Sequence, residues 1–220
     1  MSESLYTQLL YLAAGAFLLT AVLILWRREL AVIVRILALQ GLALAVMVAV
    51  LAAREGSVEL WAVAGGIAVL RVGVLPHLVR RALTGAEAAR RESAPSVNVA
   101  SSLLAAAGLT LLGFAVSQPL VALAPSPATQ AVPVGVTVVL IGFLVLVTRR
   151  RALSQLVGFL LLDNGITAVG FLTTAGVGLV VEVGVSLDVL LAVLVLQLLA
   201  TRMRETFGDT DLDELRELRD

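Results

Sequence analysis

The stretch LSQLVGFLLLDNGITAVGFL (153–172) holds a single charged side chain, Asp163, at the middle of twenty otherwise uncharged residues. A helix rises about 1.5 Å per residue, so about 20 apolar residues cross the hydrocarbon core of a bilayer. Asp163 then lies about 15–20 Å from the nearer surface, beyond the reach of a short side chain. A carboxylate at that depth costs on the order of 2.5–3.5 kcal/mol on insertion scales and needs a partner, a cavity or a proton. The next apolar stretch, GLVVEVGVSLDVLLAVLVLQLLA (178–200), repeats the pattern with Asp188 near its centre and Glu182 about a turn inside its end. Two central carboxylates on successive spans suggest a proton path.

The same reading extends along the whole chain. It has 220 residues, 60% of them hydrophobic, with a mean hydropathy of +1.02, well above a soluble domain's apolar share. Seven spans are expected, at about 5–26, 30–53, 60–79, 99–118, 131–148, 153–172 and 178–200. The breaks are short, and the Pro-rich one, QPLVALAPSPATQ (118–130), is uncharged, its prolines placed to end helices. The start, MSESLYTQ, has Glu3 and no basic residue, unlike the n-region of a cleaved signal peptide. With no cysteine the chain offers neither disulfides nor thiolate ligands for an iron–sulfur cluster or nickel. No cofactor and no metal site is expected, and the arginines call for no nucleic-acid partner.

All sixteen basic side chains are arginine, and they fall mostly on one side. Arg27 and Arg28, Arg80, Arg81, Arg90 and Arg91, Arg149 to Arg151, and Arg202 and Arg204 mark alternate breaks, whereas the opposite loops carry only Arg54. The positive-inside rule places the N-terminus outside and the C-terminus in the cytoplasm of a multi-pass cell-membrane protein.

RRELAVIVRILALQGLALAV (27–46) lies without gaps over RRALSQLVGFLLLDNGITAV (150–169), an offset of 123 residues (150 minus 27). Gln40 then falls on Asp163, Glu59 on Glu182 and Gly65 on Asp188. This is either a parallel repeat of three-helix units joined by a connector helix or chance matching of Leu, Val and Ala. The corresponding division is a three-helix unit with its loop over 1–98, a connector over 99–130, a second three-helix unit over 131–201, and a tail over 202–220.

Among the remaining polar residues, Arg71 in GGIAVLRVGVLPHLVRR (65–81) is the natural charge partner for a carboxylate. It either pairs or snorkels, and because arginine keeps its proton its role would be electrostatic. Pro76 is placed to kink that span, and His77 and Arg35 are expected at the interface. Small residues in ASSLLAAAG (100–108) suit close helix packing. GDTDLDELRELRD (208–220) reads as a short acidic helix with an apolar edge, either docked on a partner subunit or frayed.

These stretches resemble hydrogenase-4 component E, a membrane subunit of formate hydrogenlyase-type and related energy-converting NiFe-hydrogenase complexes. The resemblance is carried by QLVGFLLLDNGI (155–166), VEVGVSLDVLLAVLVLQLL (181–199) and DLDELRELRD (211–220), and supported by RVGVLPHLVRR (71–81). It implies that the last three spans look like the three-helix K-type subunit of complex I and the C subunit of Mrp-type antiporters. It also implies antiporter-like membrane subunits and peripheral hydrogenase and iron–sulfur subunits as partners. Asp163, Asp188, Glu182 and Arg71 would serve proton transfer in a subunit that is not itself catalytic. The family usually has Glu where Asp163 stands and Lys where Arg71 stands. The other readings are a cation/proton antiporter subunit and a structural scaffold of a membrane arm.

Overall fold

The computed structural model describes residues 1–77, 98–149 and 152–174, and every regular element among them is helical. Six of the described helices are long and apolar enough to cross a membrane. They are α1 (Glu3–Trp26), α2 (Leu30–Glu55), α3 (Val58–His77), α4 (Val99–Leu123), α5 (Pro127–Thr148) and α6 (Ala152–Thr174). The chain is thus an all-α polytopic membrane protein. The expected seventh span, with Asp188 and Glu182, and the acidic tail lie outside the described residues.

Local chemistry sets the helix ends. Gly56, at φ 71°, closes α2 in the left-handed conformation that a side chain would strain. Ser57 then opens α3 by accepting the Leu60 backbone N–H at 3.2 Å. The Pro-rich break is shorter than its composition suggests, because α4 runs through Pro119 to Leu123 and α5 already starts at Pro127. Proline at the first helical position gives up an N–H that has no intrahelical partner anyway. Ser126 caps that start in a reciprocal box with Thr129, so Pro127 begins a helix here instead of ending one.

α1 and α2 form one antiparallel hairpin, α5 and α6 another, and the two pack together as α1 on α5 and α2 on α6. Tyr11 of α1 donates to Gln130 of α5 at one face, while Arg149 after α5 donates to the Arg27 carbonyl after α1 at the other. The two helices therefore run parallel. The 123-residue offset carries α1 onto 126–149 and the start of α2 onto 153, against observed starts at Pro127 and Ala152. The helices superposed by that offset are the ones that pack side by side. α3 lies on α2, and α4 lies on α5 and α1.

The tightest seam is α5 against α6. A Cβ added at Gly142 would come 2.7 Å from the Leu162 backbone nitrogen, and one at Gly165 would come 2.7 Å from that of Val139. Without side chains at these points the two backbones meet, and dispersion replaces the hydrophobic drive that lipid cannot supply. The small-residue run of α4 contributes less than expected. Ser102 and Ala106 are buried, but nothing meets Gly108, and α4 is the least buried of the six spans.

Candidate functional site

A cluster of polar side chains lies within the apolar bundle where α2, α3 and α6 converge. Asp163 sits at the midpoint of α6, eleven residues from either end, which is about 16 Å along the axis. Its Oδ2 lies 2.6 Å from Arg71 Nη1, and neither side chain reaches the surface. The contact is ionic and lies outside hydrogen-bond geometry. The same Nη1 donates to Asn164 Oδ1, and Nη2 donates to Thr167 Oγ1 at 2.9 Å. Asn164 Nδ2 in turn donates to Gln40 Oε1 on α2 at 2.9 Å. One α6 turn, with residues 163, 164 and 167 on a common side, thus presents a carboxylate, an amide and a hydroxyl to a single guanidinium.

Arg71 reaches this turn because of how α3 is built. Ala68–Val74 forms a π-helical segment, and the Leu75 N–H bonds back to the Leu70 carbonyl. The wider turn directly precedes Pro76, whose ring would otherwise clash with the carbonyl four residues earlier and which has no N–H to give. Gly41 of α2 supplies the room, since a Cβ there would stand 2.7 Å from the Arg71 Cβ. Arg71 is the buried residue of the π segment, while Val69, Val72 and Val74 face outward.

The structure brings together two of the four residues expected to serve a proton path, Asp163 as carrier and Arg71 as its fixed charge. Asp188 and Glu182 lie outside the described residues. Gln40, which the repeat set at the depth of Asp163, contacts Asn164 instead. Asn164 and Thr167 join the cluster without having been singled out. The spacing D-N-x-x-T over 163–167, which puts three polar groups on one side of a helix, is the signal that could have found them. His77 and Arg35 are exposed and take no part in the cluster. No group of three or more His, Cys, Asp or Glu able to hold a metal ion occurs among the described residues.

Chemically the cluster is a neutral ion pair held in a polar cage. Arginine keeps its proton, so Arg71 enters the cluster as a fixed positive charge facing the Asp163 carboxylate. Arg71 Nε and Gln40 Nε2 remain as buried donors without a hydrogen-bond partner among the described residues. Asn164→Ala is expected to cost about 1–3 kcal/mol, because it strands Gln40 and removes one acceptor from Arg71. Reversible unfolding in mixed micelles would measure it.

No family model and no solved structure matches the chain. Over its whole length it is 52% identical to a Mycobacterium tuberculosis (strain ATCC 25618 / H37Rv) protein known as Uncharacterized protein Rv0085, with 100% of each chain covered. The chain belongs to the Rv0085 family. Hydrogenase-4 component E of Escherichia coli (strain K12) is 33% identical over 118 residues, which are 54% of this chain and 54% of that one. Component E of Shigella flexneri gives the same figures. The likeness of an Rv0085-family chain to component E thus spans about half of either protein.

Proposed function

We propose that this chain is a membrane subunit of a hydrogenase-type complex, in which it helps move protons while partner subunits carry out the redox chemistry. The observation that carries the assignment is the 33% identity to hydrogenase-4 component E over about half of each chain. The buried Arg71–Asp163 pair supports the proton part of the reading, since intramembrane carboxylates that pair with a cation mark ion pathways more often than packing contacts. In this reading Arg71 faces Asp163 with a fixed positive charge while the carboxyl group takes up and passes on protons, and the amides of Gln40 and Asn164 order water around it. Asp188, on the next span of the sequence, supplies a second carboxylate and Glu182 an entry near the membrane surface. Arg27, Arg28 and Arg149 mark the cytoplasmic face, which leaves the N-terminus outside.

Partner capture tests the assignment. The chain is tagged at its C-terminus, extracted from its native membrane in mild detergent, and its companions are identified by mass spectrometry. Recovery of a hydrogenase-like large subunit, an iron–sulfur subunit and antiporter-like membrane subunits is the expected result. Antiporter-like subunits alone would replace it with cation/proton exchange. Asp188→Asn is expected to leave the complex assembled and to reduce the proton gradient formed per electron transferred. An unchanged gradient at unchanged electron flux would remove Asp188 from the path.

A further inference from the structure

We propose that the arginine turns following α1 and α5 form a binding site for the phosphodiester of an anionic phospholipid. Both helices end at the same face in an arginine with extended backbone, Arg27 (φ −88°, ψ 144°) and Arg149 (φ −98°, ψ 134°). Arg149 Nη2 donates to the Arg27 carbonyl at 3.4 Å, which ties the two turns together. Arg149 is only 6% exposed although it stands at the very end of a span, so a full positive charge is withdrawn from water at the headgroup level. Burial first, and the neighbouring Arg28 second, lower its pKa from the usual arginine range. Among the described residues, the guanidinium groups of Arg27, Arg28 and Arg149 thus share these turns with one carboxylate, Glu29.

Two further features point to an anion carrying an acyl chain. α2 begins at Leu30 in the same turn, and the Glu29 side chain makes no capping bond to its N-terminus. The N–H groups and positive dipole end of a 26-residue helix therefore add to the arginines. Arg27 stacks on the Trp26 ring at 5.2 Å, and that ring is largely exposed, as indole rings are in the interfacial belt. Two turns earlier on the same side of α1, Leu19 is exposed, an apolar strip along which an acyl chain can lie. Phosphate-binding groups above and apolar surface below match a lipid headgroup better than a free anion.

Thermal unfolding of the full chain in mild detergent, titrated with phosphatidylglycerol or cardiolipin and separately with phosphatidylcholine and inorganic phosphate, tests the site. The anionic lipids should stabilise saturably and the other two should not. The double variant R27Q/R28Q, which keeps the Arg27 carbonyl and the buried Arg149, should bind anionic lipid about 25-fold more weakly, on the order of fivefold per arginine. Should that variant unfold too early to titrate, the unaltered chain decides, since its affinity for anionic lipid must fall as salt is raised. Equal stabilisation by phosphatidylcholine, the same shift from inorganic phosphate alone, or an affinity indifferent to salt would overturn the proposal.

Discussion

Replacing Asp163 with leucine is expected to lower stability by about 3–5 kcal/mol, because it leaves the Arg71 guanidinium buried opposite hydrocarbon. Arg71→Met should cost a similar amount by stranding the carboxylate. The double variant R71M/D163L should recover most of the loss, since two apolar side chains of comparable volume replace a pair whose attraction largely offsets its own desolvation. The coupling between the two sites is then read from a double-mutant cycle of reversible unfolding in mixed micelles. Additive losses would mean that the 2.6 Å contact does not hold the helices together. The double variant also separates folding from function. If it assembles with its partners but moves no protons, the pair serves the proton path; if coupling persists, the pair is a structural lock.

A second large effect is expected where α5 and α6 touch. Gly142→Val would drive a branched side chain into the Leu162 backbone, whose nitrogen and Cα already lie 2.7 and 2.9 Å from an added Cβ. Helix backbones cannot yield by a rotamer change, so the hairpin must separate, at about 1–3 kcal/mol or more. Gly15→Val on α1 is the control, because nothing lies within 4 Å of its Cβ position and it should stay within about 0.5 kcal/mol. Unfolding midpoints of the two variants, measured side by side in one detergent, check this. Equal behaviour would show that the seam is looser than its geometry.

What could be read in the chain beforehand was set by the bilayer, and what could not was set by neighbours. Hydropathy and arginine-bearing breaks place α1, α2, α3 and α6 within a few residues, because a span must be apolar and about 20 residues long whatever surrounds it. The centrality of Asp163 and the fitness of Arg71 as a partner follow from the same depth argument. That Arg71 turns to Asn164 and Thr167 as well depends on the π segment ahead of Pro76 and on the gap at Gly41, which emerge only when α2 and α3 are in contact. Glycines give no sequence signal of which helix they face. The run 100–108 looked as suited to close packing as Gly142 or Gly165, yet α4 is the least buried of the six spans.

The two positions at which the chain departs from the pattern implied by its resemblance to component E are the two ends of this one contact. A carboxylate one methylene shorter than Glu meets a guanidinium that reaches farther than an ammonium, and the pair still closes at 2.6 Å. Against that implied pattern, Asp163 and Arg71 keep the charges, and the cation is one that does not release its proton.

The order in which the chain is made gives the ion pair a further consequence. Arg71 leaves the ribosome ninety-two residues before Asp163 (163 minus 71), roughly 5–20 s at ordinary rates of synthesis. For that interval α3 must be laterally inserted with its guanidinium unmatched. α3 and α6 are also the least apolar of the six spans, so each partner is the other's licence to remain in the lipid. Nascent chains halted before α6 should therefore leave α3 only loosely integrated and open to quality-control proteases.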